Sequence, residues 1–130
     1  MTSIKNKDKD FIYKDLTYKI IGYAMNVHKI LGAGFLESVY EAALKVEFNK
    51  SNLLFKSQVE FPVIYRNENI KTFICDIVAD EKVIIELKAT KQIIEIERAQ
   101  LLNYLKVTKL KVGLLINFGT KSLQYERIIL

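Results

Sequence analysis

The spacing of apolar residues changes near residue 53, and this change constrains the fold more than any other feature. Before it, apolar residues recur at helical spacing. After it, three stretches rich in β-branched and aromatic residues follow one another with short polar loops between them: Phe55–Arg66, Ile70–Val78 and Val83–Leu87. Such a series predicts a meander of three strands whose apolar face must be covered by other elements.

Three helices are predicted around this meander. The first runs from Leu16 to Leu31 with Asp15 as its N-cap. The second runs from Leu36 to about Lys50, with one apolar side formed by Leu36, Val39, Tyr40, Ala43 and Val46. The third runs from about Ile94 to Val107, with a core stripe of Ile94, Leu101, Leu102 and Leu105.

Two further strands are predicted after the third helix, at Lys111–Phe118 and Gln124–Ile129. Pro62, the only proline, indicates that the first strand of the meander is an edge strand or carries a bulge. The order α-α-β-β-β-α-β-β predicts an α/β (α+β) fold, a central mixed sheet flanked by helices.

Length and composition indicate one domain. The chain of 130 residues is half hydrophobic, which suits a single core spanning residues 15–130 after a polar, flexible segment at residues 1–14. No apolar run approaches a membrane span, no signal-peptide pattern opens the sequence, and one cysteine excludes a cysteine-rich zinc site. We therefore expect a soluble, cytoplasmic protein without membrane association. Its net charge of +5 permits an anionic partner such as nucleic acid.

Charged residues interrupt the apolar segment Ile74–Thr90 in an unusual way. Glu86 and Lys88 are two residues apart, so in a strand their side chains leave the same face. Asp76 joins that face if the loop Asp80-Glu81-Lys82 has three residues, because Ala79 then pairs with Val83 and Asp76 with Glu86. A two-residue loop would place the two carboxylates on opposite faces.

Two adjacent carboxylates beside a lysine suit a site for metal-assisted phosphodiester hydrolysis. Like charges opposite each other destabilise a sheet, and a divalent cation such as Mg²⁺, which takes oxygen ligands, is the natural compensation. The lysine could hold a phosphate or position a water near the metal. An equally weighted alternative is that Asp76, Glu86 and Lys88 form cross-strand ion pairs on a solvated face.

A family resemblance favours the first interpretation. Residues Gly34 to Tyr40 read G-x-x-E-x-x-Y and resemble the signature of the GxxExxY family in the PD-(D/E)XK nuclease superfamily. The resemblance continues through Asp76, the triplet Glu86-Leu87-Lys88, Gln100 with Tyr104, and Gly113–Gly119. It implies a restriction-endonuclease-like core whose order of elements matches the one predicted above.

The resemblance also implies roles for individual residues. Asp76 and Glu86 would bind Mg²⁺ or Mn²⁺ together with the backbone carbonyl of Leu87, and Lys88 would be the catalytic lysine. Glu37 would supply an additional acidic group, and Gln100 with Tyr104 would help to place the substrate. The implied activity is a metal-dependent nuclease, with DNA favoured over RNA and a homodimer left open.

Other interpretations remain for these residues. Glu37 falls in the first turn of its helix, where any carboxylate interacts favourably with the helix dipole. Gln100 and Tyr104 lie on one flank of the third helix, which could simply be solvated. His28 and Cys75 are expected to be structural. The whole chain could also be a binding module that holds nucleic acid or protein without cleavage, or an interaction protein with an acidic surface.

Overall fold

The chain folds as helices first and strands afterwards, with one helix inserted before the last two strands. The structure, a computed structural model, describes residues 12–130. Its elements are α1 (Lys14–Leu31), α2 (Glu37–Lys50), β1 (Phe55–Tyr65), β2 (Glu68–Ala79), β3 (Val83–Lys88), α3 (Glu95–Thr108), β4 (Val112–Asn117) and β5 (Gln124–Ile129). None of the helices in this described part is long and apolar enough to cross a membrane. The predicted flexible segment at residues 1–14 lies mostly outside the described residues.

The five strands form one mixed sheet in the order β1-β2-β3-β4-β5. Neighbouring strands are antiparallel except β3 and β4, which are parallel. The parallel pair follows from the connection, because α3 carries the chain back across the sheet before β4 begins. The predicted α+β fold, a mixed sheet flanked by helices, is confirmed.

Helices cover both faces of this sheet. On one face, α1 and α2 bury a cluster that includes Ile20, Tyr40, Leu44, Ile77, Ile85 and Phe118. On the other face, α3 packs Leu101, Tyr104 and Leu105 against Cys75, Ile84 and Leu115. Strand β4 lies between the two layers and is buried at all six positions, which is why its sequence is continuously apolar up to Asn117.

The N-termini of the helices differ from their predicted positions. Tyr13, with a φ of 51°, is the N-cap of α1, and Asp15 lies inside the first turn. Leu36 and Ile94 are the N-caps of α2 and α3. Because an N-cap precedes the helical part of the chain, these two side chains fall out of the apolar stripe and are exposed. The buried side of α2 is instead formed by Tyr40, Leu44 and Phe48.

The β1–β2 hairpin is longer than predicted. Its turn consists of Arg66 and Asn67, both with positive φ, and β2 already begins at Glu68. The predicted loop at residues 67–69 is therefore wrong. Strand β1 is an edge strand with a register shift between Val63 and Ile64, so the expectation derived from Pro62 is confirmed.

Candidate active site

The loop between β2 and β3 has the length that brings the carboxylates of Asp76 and Glu86 next to each other. Ala79 pairs with Val83, and Ile77 pairs with Ile85. The loop therefore has three residues, which is the length that the metal-site interpretation requires, and the next step of the same register places Asp76 opposite Glu86.

At Asp76 and Glu86, hydrogen bonds from side chains to backbone take the place of the backbone hydrogen bonds between β2 and β3. The backbone N–H of Leu87 donates to Asp76 Oδ2 at 2.8 Å. The backbone N–H of Asp76 donates to Glu86 Oε1 at 3.1 Å. Each strand thus sends a carboxylate to the backbone of the other strand. Both carboxylates are held in fixed positions where the β2–β3 pairing stops.

The Glu86 carboxylate is in an unfavourable environment for its own charge. Its residue is only 7% exposed. Burial, and next the negative charge of Asp76, raise the pKa of Glu86 from 4.5 to about 8, against the lowering effects of the Asp76 N–H and the Lys88 ammonium. A carboxyl group that is hard to ionise beside a second carboxylate is chemically suited to a cation, which would favour the charged form.

Lys88 is the last residue of β3, where the strand leaves the buried layer. It is half-buried and pairs in parallel register with Asn117 of β4. Its carbonyl oxygen accepts a hydrogen bond of 2.8 Å from the N–H of Phe118. The backbone of Lys88 is therefore fixed by β4, and its ammonium is close enough to Glu86 to act on the pKa of that group.

Glu37 lines the same cavity as Asp76. This cavity of about 200 Å³ is bounded by Glu37, Ser38, Glu41, Gln58, Asp76 and Leu87. Glu37 is the first residue of α2. Within residues 12–130, no group of three or more His, Cys, Asp or Glu side chains converges as a metal-binding cluster. The donor set that the structure brings together is thus the pair Asp76 and Glu86, which suits an oxygen-preferring divalent cation.

The G-x-x-E-x-x-Y segment has a structural explanation. Gly34 adopts a φ of 111°, which side chains rarely allow. The buried Tyr40 hydroxyl donates to the carbonyl of Gly32 at 2.5 Å and accepts from the N–H of Phe35 at 3.2 Å. The Tyr40 ring also stacks on Phe118, with centroids 4.4 Å apart. The glycine and the tyrosine together fix the loop that sets the position of Glu37.

Gln100 and Tyr104 are hydrogen-bonded to each other, with Gln100 Nε2 donating to the Tyr104 hydroxyl at 3.2 Å. Tyr104 is buried and packs edge-on against Phe73, so it belongs to the core stripe as well as to the polar flank. Burial, and next the charge of Glu86, raise the pKa of the Tyr104 hydroxyl. Tyr104 therefore lies within electrostatic reach of Glu86 and Asp76.

Asn117 is a buried polar residue whose role the pattern of residues did not indicate. Its Oδ1 accepts hydrogen bonds from the N–H groups of Thr90 and Gly119 at 2.9 and 3.0 Å. Its Nδ2 donates to Thr90 O and Gln124 Oε1, both at 3.0 Å. The side chain thereby anchors the segment that follows Lys88. The only signal in the sequence was a polar residue ending a continuous apolar strand.

Gly119 has no side chain, and this allows its backbone to lie against the backbone of Thr90. A Cβ atom there would lie 2.2 Å from the carbonyl oxygen of Thr90 and 2.4 Å from its nitrogen. The chain after β4 therefore approaches the chain after β3 more closely than any other residue would permit.

The histidine and the cysteine have the structural settings that were expected. His28 Nε2 lies 2.8 Å from the carbonyl oxygen of Thr120 and ties α1 to the loop after β4. Cys75 is fully buried. Burial, followed by the charges of Glu86 and Asp76, raises the pKa of its thiol to about 12, so this thiol is not a nucleophile at neutral pH.

Comparisons with known proteins identify the family and a similar fold. A sequence model of the PD-(D/E)XK nuclease superfamily matches residues 14–128. No curated protein matches the sequence. Among solved structures, the chain is similar to the crystal structure of SSO0001, with a TM-score of 0.56 and 17% identity. The alignment covers 93% of this chain and 61% of that one, so the chain spans less than two thirds of SSO0001, and the similarity is one of fold.

Proposed function

The chain belongs to the PD-(D/E)XK nuclease superfamily, and from this premise we propose that it is a divalent-metal-dependent nuclease that hydrolyses phosphodiester bonds of DNA. The observation that carries the proposal is the reciprocal anchoring of Asp76 and Glu86 where β2 and β3 separate. Within the superfamily we assign the chain to the GxxExxY branch. The loop fixed by Gly34 and Tyr40 beside Glu37 supports this assignment.

Asp76 and Glu86 would hold Mg²⁺ or Mn²⁺, with the Leu87 carbonyl and Glu37 as further oxygen donors. When bound, such an ion supplies positive charge to a reacting water and to the phosphate oxygens. The buried position of Glu86 supports the assignment, because a buried carboxylate beside a second one needs a compensating charge. The cavity that Glu37 shares with Asp76 supports its inclusion as a further donor.

Lys88 would steady the attacking water or the scissile phosphate with its ammonium group. Its anchored backbone supports this role, since a lysine can place its charge reproducibly only from a fixed main chain. Gln100 and Tyr104 would orient the nucleic-acid strand from the α3 side, as their hydrogen bond and the influence of Glu86 on Tyr104 suggest.

A plasmid-nicking assay tests the proposal. We expect nicking with Mg²⁺ or Mn²⁺ and none with EDTA. The substitution Lys88→Ala removes the positive charge beside the carboxylates and should lower the nicking rate by about 100-fold or more. Lys82→Ala is the matched control, because Lys82 lies in the loop at the other end of β3 and pairs with Asp80; it should nick normally. Nicking that survives Lys88→Ala would count against the proposed site.

A second function is a module that binds nucleic acid or protein without cleaving it. The lack of a converging group of three carboxylate, histidine or cysteine side chains in residues 12–130 favours this alternative. The two functions separate in one experiment. Binding of labelled DNA without metal-dependent cleavage, unaffected by Lys88→Ala, supports the module and contradicts the nuclease.

A further inference from the structure

Two large apolar side chains are exposed next to the candidate active site. Phe35 is 47% exposed and Leu36 is 76% exposed, and both immediately precede Glu37 at the start of α2. Neighbouring exposed apolar side chains are unfavourable in water, and such surfaces commonly mark binding sites.

The loop that carries this pair is fixed. Gly32 and Gly34 have φ values of 71° and 111°, and the Tyr40 hydroxyl bridges Gly32 to Phe35. The Phe35 ring stands edge-on to Tyr40, with an interplanar angle of 83°. The remaining surface of the ring faces outward from a preformed support, so little conformational entropy is lost when a ligand packs on it.

The pair borders the cavity of the acidic residues. Phe35 and Leu36 line an open depression of about 490 Å³ together with Glu37, Ser38 and Ala89. Glu37 and Ser38 also line the cavity that contains Asp76 and Leu87. Ala89 follows Lys88 directly. A ligand lying between the two cavities would touch the apolar pair at one end and approach the carboxylates at the other.

We propose that Phe35 and Leu36 form a platform on which one unpaired nucleobase packs while its phosphodiester lies at Asp76 and Glu86. The inference rests on the proposed function and specifies its substrate class. A base inside a continuous duplex is already stacked and offers no free face, whereas a base in single-stranded or frayed nucleic acid does. The backbone phosphates alone would gain nothing from apolar side chains. The protein therefore prefers single strands and frayed ends to continuous duplex.

The test compares two forms of one oligonucleotide, single-stranded and as a blunt duplex, both carrying 2-aminopurine, whose fluorescence is quenched by stacking. Binding is measured in EDTA and cleavage in Mg²⁺. We expect tighter binding and stronger quenching with the single strand. The double variant Phe35→Ala/Leu36→Ala should weaken single-strand binding at least about fivefold and duplex binding much less. Phe35→Trp should retain the preference.

The matched control is Tyr18→Ala/Ile30→Ala. These side chains are 79% and 77% exposed and line neither of the two cavities. It should bind both forms as the unchanged protein does. If the platform double variant does not fold, Leu36→Ser alone removes half of the platform without touching the Phe35–Tyr40 contact and should show the same selective loss.

Two results would overturn the platform. One is an equal loss of single-strand and duplex binding, or no loss of either. The other is a change in oligomeric state on size exclusion with unchanged binding, which would assign the patch to a second copy of the chain. If no metal supports cleavage by the unchanged protein, the proposed function fails, and the binding comparison in EDTA still decides on the platform.

Discussion

The side chains of Asp76 in β2 and Glu86 in β3 each accept a hydrogen bond from the backbone of the opposite strand. Glu86 accepts the backbone N–H of Asp76, and the Asp76 carboxylate accepts the N–H of the residue that follows Glu86. The arrangement fixes two carboxyl groups close together, so the stability of the fold should depend on the protons and cations that they bind. That dependence gives the first of four predictions.

The metal-free protein should lose stability as the pH rises. The pKa of Glu86 is about 8 in the folded protein, against an ordinary value of 4.5. The folded state therefore keeps a proton that the unfolded state releases, and the free energy of unfolding falls between pH 4.5 and pH 8. Since each pKa unit corresponds to about 1.4 kcal/mol, the loss should be on the order of a few kcal/mol. Urea unfolding in EDTA at a series of pH values measures it.

Two comparisons isolate this effect. Glu86→Gln should remove the fall with pH, whereas Glu81→Gln, in the exposed β2–β3 loop, should keep it. Mg²⁺ should stabilise the unchanged protein most at high pH, where Glu86 must give up its proton. A stability that is the same at pH 5 and pH 8 in EDTA would contradict the raised pKa.

Removing the Asn117 side chain should weaken both fold and activity. Asn117→Ala leaves the backbone groups of Thr90 without their partners, and unpaired buried polar groups are costly. We expect a loss of about 2–4 kcal/mol in urea unfolding, together with slower plasmid nicking because the chain after Lys88 is released. Asn69→Ala is the control. Asn69 makes one exposed hydrogen bond to Thr72, and its loss should cost at most about 0.5 kcal/mol.

Two glycine-to-alanine substitutions should have opposite effects. At Gly119, a methyl group would overlap the backbone of Thr90, so Gly119→Ala should destabilise the protein by more than about 2 kcal/mol. At Gly22, in the middle of α1, a methyl group meets no atom within 4 Å. Gly22→Ala should therefore stabilise the helix by about 0.5–1 kcal/mol. Thermal unfolding of both variants measures these effects. An unchanged melting temperature for Gly119→Ala would contradict the close approach of Gly119 to Thr90.

Removing the Tyr40 hydroxyl should loosen the loop before α2. Tyr40→Phe keeps the stacking on Phe118 but removes both hydrogen bonds to the loop, at a cost of about 1–2 kcal/mol. Hydrogen exchange gives a specific readout, because the amide of Phe35 should exchange faster. Tyr18→Phe, on an exposed ring, is the control. An unchanged Phe35 amide would show that the hydroxyl does not hold the loop.

The sequence reduced the alternatives to two where a feature depends only on the number of residues in a loop. A three-residue loop was the condition for Asp76 to lie opposite Glu86, and the observed register meets that condition. The loop length did not indicate that side-chain hydrogen bonds would replace backbone hydrogen bonds between β2 and β3 at Asp76 and Glu86. That change depends on how the two strands separate, which periodicity does not encode.

Features that depend on distant segments could not be predicted. Asn117 acts on Thr90, 27 residues earlier in the chain, and only the parallel pairing of β3 with β4 brings them together. Leu36 and Ile94 were assigned to apolar stripes because each precedes a helix at helical spacing, but the helices begin one residue later. The roles proposed for the site residues in binding metal and substrate stay predictions for the experiments above; these residues are Glu37, Asp76, Glu86, Leu87, Lys88, Gln100 and Tyr104.

The parallel pairing of β3 with β4 has a consequence for the newly made protein. Glu86 and Lys88 leave the ribosome well before Asn117, yet β3 can be flanked on both sides only after α3 has crossed the sheet and β4 has docked. Pairing across such a crossover is slow compared with local contacts. A nascent chain would therefore carry Asp76, Glu86 and Lys88 before the strand that flanks β3 exists, and the segment after Lys88 would be anchored only once Asn117 has been synthesised.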